Sequence, residues 1–291
     1  MPKVFLVTGS SRGLGREITA AALAAGHQVV ATARRPETLA GLAGQYGRQI
    51  LPVALDVTDP AAAEAAVAAG VAAFGRLDVV VNNAGYANLA AVEDITLEDF
   101  REQIDANLLG VVNVTKAALP VLRRQGAGHI IQVSSIGGRL ATAGLSAYQA
   151  AKWAVGGFSE VLAREVEPLG IRVTVLEPGG MQTDWAGSSM EVPPVSEPYQ
   201  ATVGVMARLH NGDQSMTALG DPAKVARVVL AVADLDQPPL RLILGSEAYA
   251  YATAAARARA ASDEQWHDLT VSTDRDGATA AERDPLGTAR A

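Results

Sequence analysis

The chain has 291 residues, a formal net charge of −7, no cysteine and 49% hydrophobic residues. That length suits one large α/β domain or two small ones with a sizeable core. The missing cysteines exclude a disulfide scaffold, a thiolate zinc site and a cysteine nucleophile. The acidic balance argues against a nucleic-acid partner. The four histidines (His27, His129, His210, His267) share no i, i+4 ligand spacing, so no metal is expected. No apolar run approaches the ~18 residues of a membrane span. A cytoplasmic protein without a membrane partner is expected.

Short β-branched runs alternate with Ala-rich stretches. Strands are predicted at Val4–Thr8, Gln28–Ala33, Ile50–Asp56, Asp78–Asn82, His129–Ser134, Arg172–Leu176 and Arg241–Leu244. Most are nearly continuous in apolar residues, as befits parallel strands covered on both faces. Asp59-Pro60 and Asp221-Pro222 each supply an N-cap followed by Pro at the first helical position. Thr96-Leu97-Glu98-Asp99 opens a helix predicted to run to about Arg124, with a bend at Pro120. This βαβα rhythm specifies an α/β, Rossmann-type doubly wound parallel sheet of about seven strands in a single domain, 1–247. A lid over 180–220 and a C-terminal extension at 248–291 complete it. The extension is expected to be helical first and weakly structured from Ser262.

The first strand ends in Thr8-Gly9-Ser10-Ser11-Arg12-Gly13-Leu14-Gly15. A helix N-terminus offers unpaired N–H groups and a positive dipole end, which suit a pyrophosphate. Glycines let the backbone turn tightly and approach it. The spacing is G-x-x-x-G-x-G, neither the common dinucleotide fingerprint nor a nucleotide-triphosphate loop. An NAD site places a carboxylate about 20 residues on, at the end of the second strand. Here Ala33 is followed by Arg34-Arg35, and Arg34 with Arg12 suits a 2′-phosphate. NADP(H) is therefore the expected cofactor.

Tyr148-Gln-Ala-Ala-Lys152 puts a phenol and an ammonium on one helical face. Bringing a phenol from pKa ~10 to near 7 takes roughly 4 kcal/mol. A cation about 4 Å away in a partly dry site supplies a term of that size, so Lys152 is expected to depress the Tyr148 pKa. Ser135, 13 residues earlier at a strand end, faces the ligand crevice of such a sheet and can hold a substrate oxygen.

Taken with Asp56-Val57, Asn82-Asn83-Ala84-Gly85, Asn107 and Pro178-Gly-Gly-Met-Gln-Thr183, these motifs fall in a familiar order. Over about residues 3–247 the chain resembles the short-chain dehydrogenase/reductase family, in its compact single-domain branch. The resemblance implies hydride transfer between a nicotinamide and an alcohol or carbonyl. It implies Tyr148 as general acid/base, Ser135 orienting the carbonyl, Lys152 on the nicotinamide ribose and Asn107 holding a water relay. Cofactor contacts are implied for Gly9, Ser11, Arg12, Gly13, Leu14, Gly15, Arg34, Asp56, Val57, Asn83, Ala84, Gly85, Pro178, Gly179, Met181 and Thr183, besides Tyr148 and Lys152. Relatives also pair helices into homodimers or homotetramers, here expected through Glu98–Arg124 and Tyr148–Glu167.

For the substrate end, Gly137, Gly138, Arg139, Leu140, Leu145, Trp153, Met181, Trp185, Met190 and Met206 are expected to build an apolar, adaptable pocket. The segment after Thr183 is loosely similar to 17-beta-hydroxysteroid-dehydrogenase-like members, which favours a hydrophobic ketone. The leading expectation is an NADPH-dependent carbonyl reductase acting on a small-molecule carbonyl or alcohol. The alternatives are an NAD-dependent alcohol dehydrogenase and a non-catalytic dinucleotide sensor.

Overall fold

Alternation within the strands builds both faces of the sheet. In β1 (Val4–Val7), Phe5 and Val7 face one helical layer while Val4 and Leu6 face the other, and all four are buried. The chain then runs α1 (Gly13–Ala24), β2 (Gln28–Ala33), α2 (Ala40–Tyr46), β3 (Ile50–Ala54), α3 (Pro60–Phe74), β4 (Val79–Asn82), α4 (Leu97–Ile104) and α5 (Gly110–Gln125). It continues through β5 (Gly128–Val133), α6 (Ser146–Val166), β6 (Ile171–Pro178), α7 (Val203–His210), α8 (Pro222–Asp234), β7 (Arg241–Leu244), α9 (Ser246–Gln265), α10 (His267–Val271) and α11 (Ala280–Arg283). This computed structural model describes residues 2–181, 190–210 and 218–285.

All seven strands are parallel, in the order β3-β2-β1-β4-β5-β6-β7. The order reverses beside β1, which opens a crevice at the carboxyl ends of β1 and β4. One layer packs Ile18 and Leu23 of α1 and Val225 and Val229 of α8 on Phe5 and Val29. The opposite layer packs Ala66 of α3, Val114 and Leu122 of α5 and Leu162 of α6 on Leu6, Val30 and Ile130. The two Asp-Pro starts behave as read. Asp59 accepts from the N–H groups of Ala61 and Ala62, and Asp221 from those of Ala223 and Lys224. Each such cap is worth about 1 kcal/mol.

Two expectations are sharpened. The helix opening at Thr96 runs on past Pro120 to Gln125, as expected, but it carries a single π turn at Asp105–Leu109, which separates α4 from α5 without interrupting the helical backbone. Pro120 and Lys116, whose carbonyl loses its intrahelical partner, both lie on the exposed side of the helix. The tail beyond Ser262 is also more ordered than its composition suggested. α9 runs on to Gln265, and α10 and α11 follow it. Its residues are almost all exposed, and local pairing holds it: Thr279 and Glu282 form a reciprocal capping box, and Arg283 pairs with Asp274 at 3.2 Å.

Candidate active site

The ends of β1, β4, β5 and β6 carry the predicted residues to one rim of the sheet. Gly9, with φ +69°, turns the chain out of β1. Gly15 has no room for a side chain: a Cβ there would lie 2.3 Å from the Gly9 oxygen and 2.4 Å from Asn83 Nδ2. α1 starts with Arg12 at its N-cap, no side-chain cap and no acid in its first turn, so no acidic side chain of its own offsets the positive end of the helix dipole. Thr8 ties the two sides of the crevice. Its hydroxyl accepts from the N–H groups of Asn83 (2.9 Å) and Ala84 (3.0 Å), while Asn83 Nδ2 donates to the Thr8 carbonyl (2.9 Å). Thr8 carried no role in the sequence reading, and its signal was a hydroxyl at the last position of an apolar strand.

Arg34 lies exposed just past β2. It is close enough to the phenol of Tyr86, after Asn83-Ala84-Gly85, to oppose the burial and the acids Glu102 and Asp99 that push that group up to about 12. Ala33, where a ribose-binding carboxylate would stand, is an apolar buried residue. Asp56 is exposed and turned locally, accepting from Thr58 N and Oγ1 at 3.0 and 2.8 Å. Beside it the Val57 carbonyl is held by Asn113 Nδ2 at 3.0 Å.

Ser135, Tyr148, Lys152 and Asn107 come together. Ser135 follows β5 and hydrogen-bonds the Tyr148 phenol. Its Oγ also accepts from Gly137 N at 3.0 Å, which fixes the hydroxyl. Lys152 Nζ lies 5.5 Å from the centre of the Tyr148 ring and donates to the Val133 carbonyl at 2.9 Å. Tyr148 and Lys152 are both buried. Asn107 sits in the π turn, where the extra residue swings its side chain inward. Its Nδ2 donates to the carbonyls of Tyr86 and Gln103, both at 2.8 Å. Its Oδ1 is buried with no hydrogen-bond partner among the described residues. A Cβ on Gly85 would lie 2.4 Å from that Oδ1 and 3.6 Å from Lys152 Nζ, so both atoms approach one small space kept open by a glycine.

Burial overrides the expected phenol–ammonium coupling. It pushes the Tyr148 phenol up to about 12, and the Ser135 hydroxyl is what pulls the other way. It also draws the Lys152 ammonium down to about 8.

Pro178 lies two residues beyond Leu176, and Ser135 two beyond its partner Val133. The Pro178 corner is therefore level with Ser135. Gly179 N donates to the Leu244 carbonyl at 3.0 Å, and Met181 bridges to Gly220. Thr183 and Trp185 lie outside the described residues, as do 182–189 and 211–217 of the expected lid. At the substrate end, Leu145, Met190 and Met206 pack with Leu89, Val203 and Tyr199 in a separate apolar cluster. Arg139 and Trp153 do not join it. Arg139 turns to the Glu177 carboxylate, and Trp153 lies half exposed under Arg259.

The order of elements and this rim match a known family model, described as short chain dehydrogenase, over residues 3–192. The chain belongs to the short-chain dehydrogenase family. It is 57% identical to "Oxidoreductase BOA17" of Botryotinia fuckeliana over 275 residues, 94% of this chain and 100% of that one. Among solved structures, a short-chain dehydrogenase from Streptomyces avermitilis superposes with a TM-score of 0.87 at 38% identity, covering 94% of this chain and 98% of that one. An alcohol dehydrogenase from Thermococcus sibiricus, complexed with 5-hydroxy-NADP, does so with a TM-score of 0.70 at 27% identity, covering 84% and 96%. The protein is accordingly an oxidoreductase of this family, acting between CH–OH and C=O with a nicotinamide cofactor. Among the described residues, no helix is long and apolar enough to cross a membrane.

Proposed function

We propose that this short-chain dehydrogenase is an NADP(H)-dependent carbonyl reductase, with Tyr148 as its general acid/base. The observation that carries the reading is the buried set of Ser135, Tyr148 and Lys152, with the unpartnered Asn107 oxygen beside it. The rim fits the cofactor. The glycine turn admits backbone close to a diphosphate, and Gly9, Ser11, Arg12, Gly13, Leu14 and Gly15 would hold it. Asn83, Ala84 and Gly85 would line the channel, Asp56 and Val57 would meet the adenine, and Pro178, Gly179, Met181 and Thr183 would seat the nicotinamide. Arg34 and Arg12 would receive a 2′-phosphate, and the absence of a carboxylate at Ala33 favours NADP(H) over NAD(H). The Thermococcus relative's complex with an NADP derivative agrees with that preference.

Bound there, the nicotinamide supplies or accepts the hydride. The chain's own residues do the rest. Ser135 and Tyr148 hydroxyls donate to the carbonyl oxygen, and those bonds strengthen as negative charge develops on it. A phenol held at about 12 stays protonated at neutral pH, which is the form needed to give a proton during reduction. Lys152 would reach the nicotinamide ribose, and Asn107 Oδ1 would hold a water between itself and Lys152 for resupply of the proton. The cluster of Leu89, Leu145, Met190, Val203 and Met206 favours a hydrophobic ketone. The outer face of α6 exposes Val161 in a groove with Gly157, Glu160, Arg164 and Glu165, which suits pairing into a homodimer or homotetramer in the cytoplasm. In this reading, 248–291 is an extension to the 1–247 domain.

The test is a panel of ketones and aldehydes followed at the NADPH absorbance band, with NADH as control. Turnover of an apolar ketone with NADPH, and at least tenfold less with NADH, is expected. Equal or better turnover with NADH would replace the reading by an NAD-dependent alcohol dehydrogenase.

A further inference from the structure

Glu177 is a fully buried carboxylate that plays no part in the proton chemistry above. It immediately precedes Pro178, and two guanidinium groups hold it. Arg139 Nε donates to Oε2 at 2.6 Å, and Arg241 reaches Oε1 through Nε at 3.0 Å and through its second terminal nitrogen. Arg241 also pairs with Glu160 of α6 at 2.8 Å.

Arg139 closes the tight turn that begins at Ser135. Within it Gly138 N donates to the Ser135 carbonyl and Arg139 N to the Ile136 carbonyl, both at 2.9 Å. The Arg139 carbonyl in turn accepts from Arg259 of α9 at 2.8 Å, and that guanidinium stands 5.2 Å over the Trp153 ring of α6. The turn is also seated without slack: a Cβ on Gly138 would lie 2.9 Å from the Lys152 carbonyl.

A buried ion cluster is a poor source of stability, since apolar side chains of similar volume do as well or better. Its distinctive property is geometric, because a guanidinium binds a carboxylate in few orientations. Here that geometry joins the turn carrying Ser135 to the strand end leading into the Pro178 corner. These two must keep their distance if a carbonyl on Ser135 is to face a ring seated at Pro178. We infer that Arg139, Glu177 and Arg241 are positioning residues, a frame that sets the Ser135 hydroxyl against the Pro178–Met181 corner. Arg259 ties α9 of the C-terminal extension into the same frame. The inference rests on the reaction proposed above, and its test separates the two.

Arg139→Met cuts the link to the Ser135 turn while leaving Glu177 paired with Arg241, so the fold should stand. Two readouts are taken. In the cofactor-free protein, hydrogen–deuterium exchange at Gly137–Arg139 and at Gly179 should quicken at least tenfold, with β1 and β4 unchanged. In turnover of an apolar ketone, kcat should fall about tenfold or more, because small misplacements of reacting groups are costly. The Kd for NADPH should stay within twofold, Arg139→Lys should recover part of kcat, and Arg259→Ala should show a smaller fall in the same direction. Unchanged exchange at both loops would overturn the frame. So would kcat within twofold of wild type, or a fall in kcat matched by an equal loss of folded protein. If wild type turns over no carbonyl with either cofactor, the proposed reaction fails and the exchange result alone decides the frame.

Discussion

Replacing Lys152 by Met should stabilise the protein while abolishing its chemistry. The ammonium is buried, and burial alone brings it from the ordinary 10.5 to about 8. That drop corresponds to about 3 kcal/mol of destabilisation at pH 7, where the group is charged both folded and unfolded. Met has similar length and buries without charge. It forfeits the bond from Nζ to the Val133 carbonyl, at a cost of about 1 kcal/mol. The net expectation is about 2 kcal/mol of added stability at neutral pH, or a urea midpoint raised by about 0.7 M if m is near 3 kcal/mol/M. The sign of the pH dependence follows from a folded pKa below the unfolded one. Between 8 and 10.5 the unfolded chain binds more protons, so wild-type stability climbs with pH and the advantage of Met disappears by the top of that window. Urea melts of both cofactor-free proteins by circular dichroism, from pH 7 to pH 10.5, measure this directly. A Met variant less stable than wild type at pH 7, or a gap that ignores pH, refutes the reasoning. Carbonyl turnover of the variant should fall at least about a hundredfold, as for loss of a group serving general acid–base catalysis.

Tyr148→Phe should lower kcat by about 10²–10⁴ while NADPH affinity, measured by fluorescence titration, stays within threefold. Gly15→Ala must push a methyl into the Gly9 carbonyl and Asn83, so it should cost about 1–3 kcal/mol in a denaturant melt and weaken NADPH binding at least tenfold. Arg34→Ala should weaken NADPH by about 10- to 100-fold, the worth of a charge-assisted bond, with NADH affected less than threefold. His129 is buried, with Nε2 on Thr174 and Nδ1 unpartnered, and burial holds it down to about 4. Wild type should therefore lose about 3 kcal/mol between pH 6.5 and 4, where the unfolded chain alone takes up the proton. His129→Gln, compared by melts across that range, should flatten the slope.

The sheet was readable because strands buried on both faces cannot hide. Val4–Val7 and Val79–Val81 admit no polar residue, and each predicted strand lies within two residues of the observed one. The tyrosine–lysine pair and glycine turn were readable for a related reason: helical spacing and the need for bare backbone are local properties. What escaped depends on contacts distant in sequence. Asn107 sits in a π turn of its helix and donates to the Tyr86 carbonyl 21 residues away, whereas the sequence offered only Pro120 as an irregularity there. Arg139 looked like part of an apolar wall because its partner Glu177 lies 38 residues on. The phenol's shift went the other way because burial depth is a tertiary quantity. At i, i+4 the ammonium can reach the phenol, yet Lys152 reaches the Val133 carbonyl.

Stability and reactivity are divided between the body of the sheet and its carboxyl rim. Below the rim, two apolar layers cover β1, β2 and β4, and the few buried polar groups there are partly matched: Asn82 Nδ2 donates to Gln132 and Thr115, while Asn82 Oδ1 and His129 Nδ1 lack a partner among the described residues. At the rim the chain retains an orphan Asn107 oxygen and a buried Lys152 ammonium, both of which cost stability at neutral pH. A ligand that supplies partners to these groups removes those costs on binding, so its affinity partly reflects relief of the folded chain's own penalties. The chain from Asn107 to Gln103, from Gln103 to Asn88 and from Asn88 to the Glu191 N–H carries the same rim out to the 190–199 segment. Backbone and amide bonds thereby hold that segment's apolar residues in place, so on the function proposed above their shape, rather than polar contacts, would select among substrates.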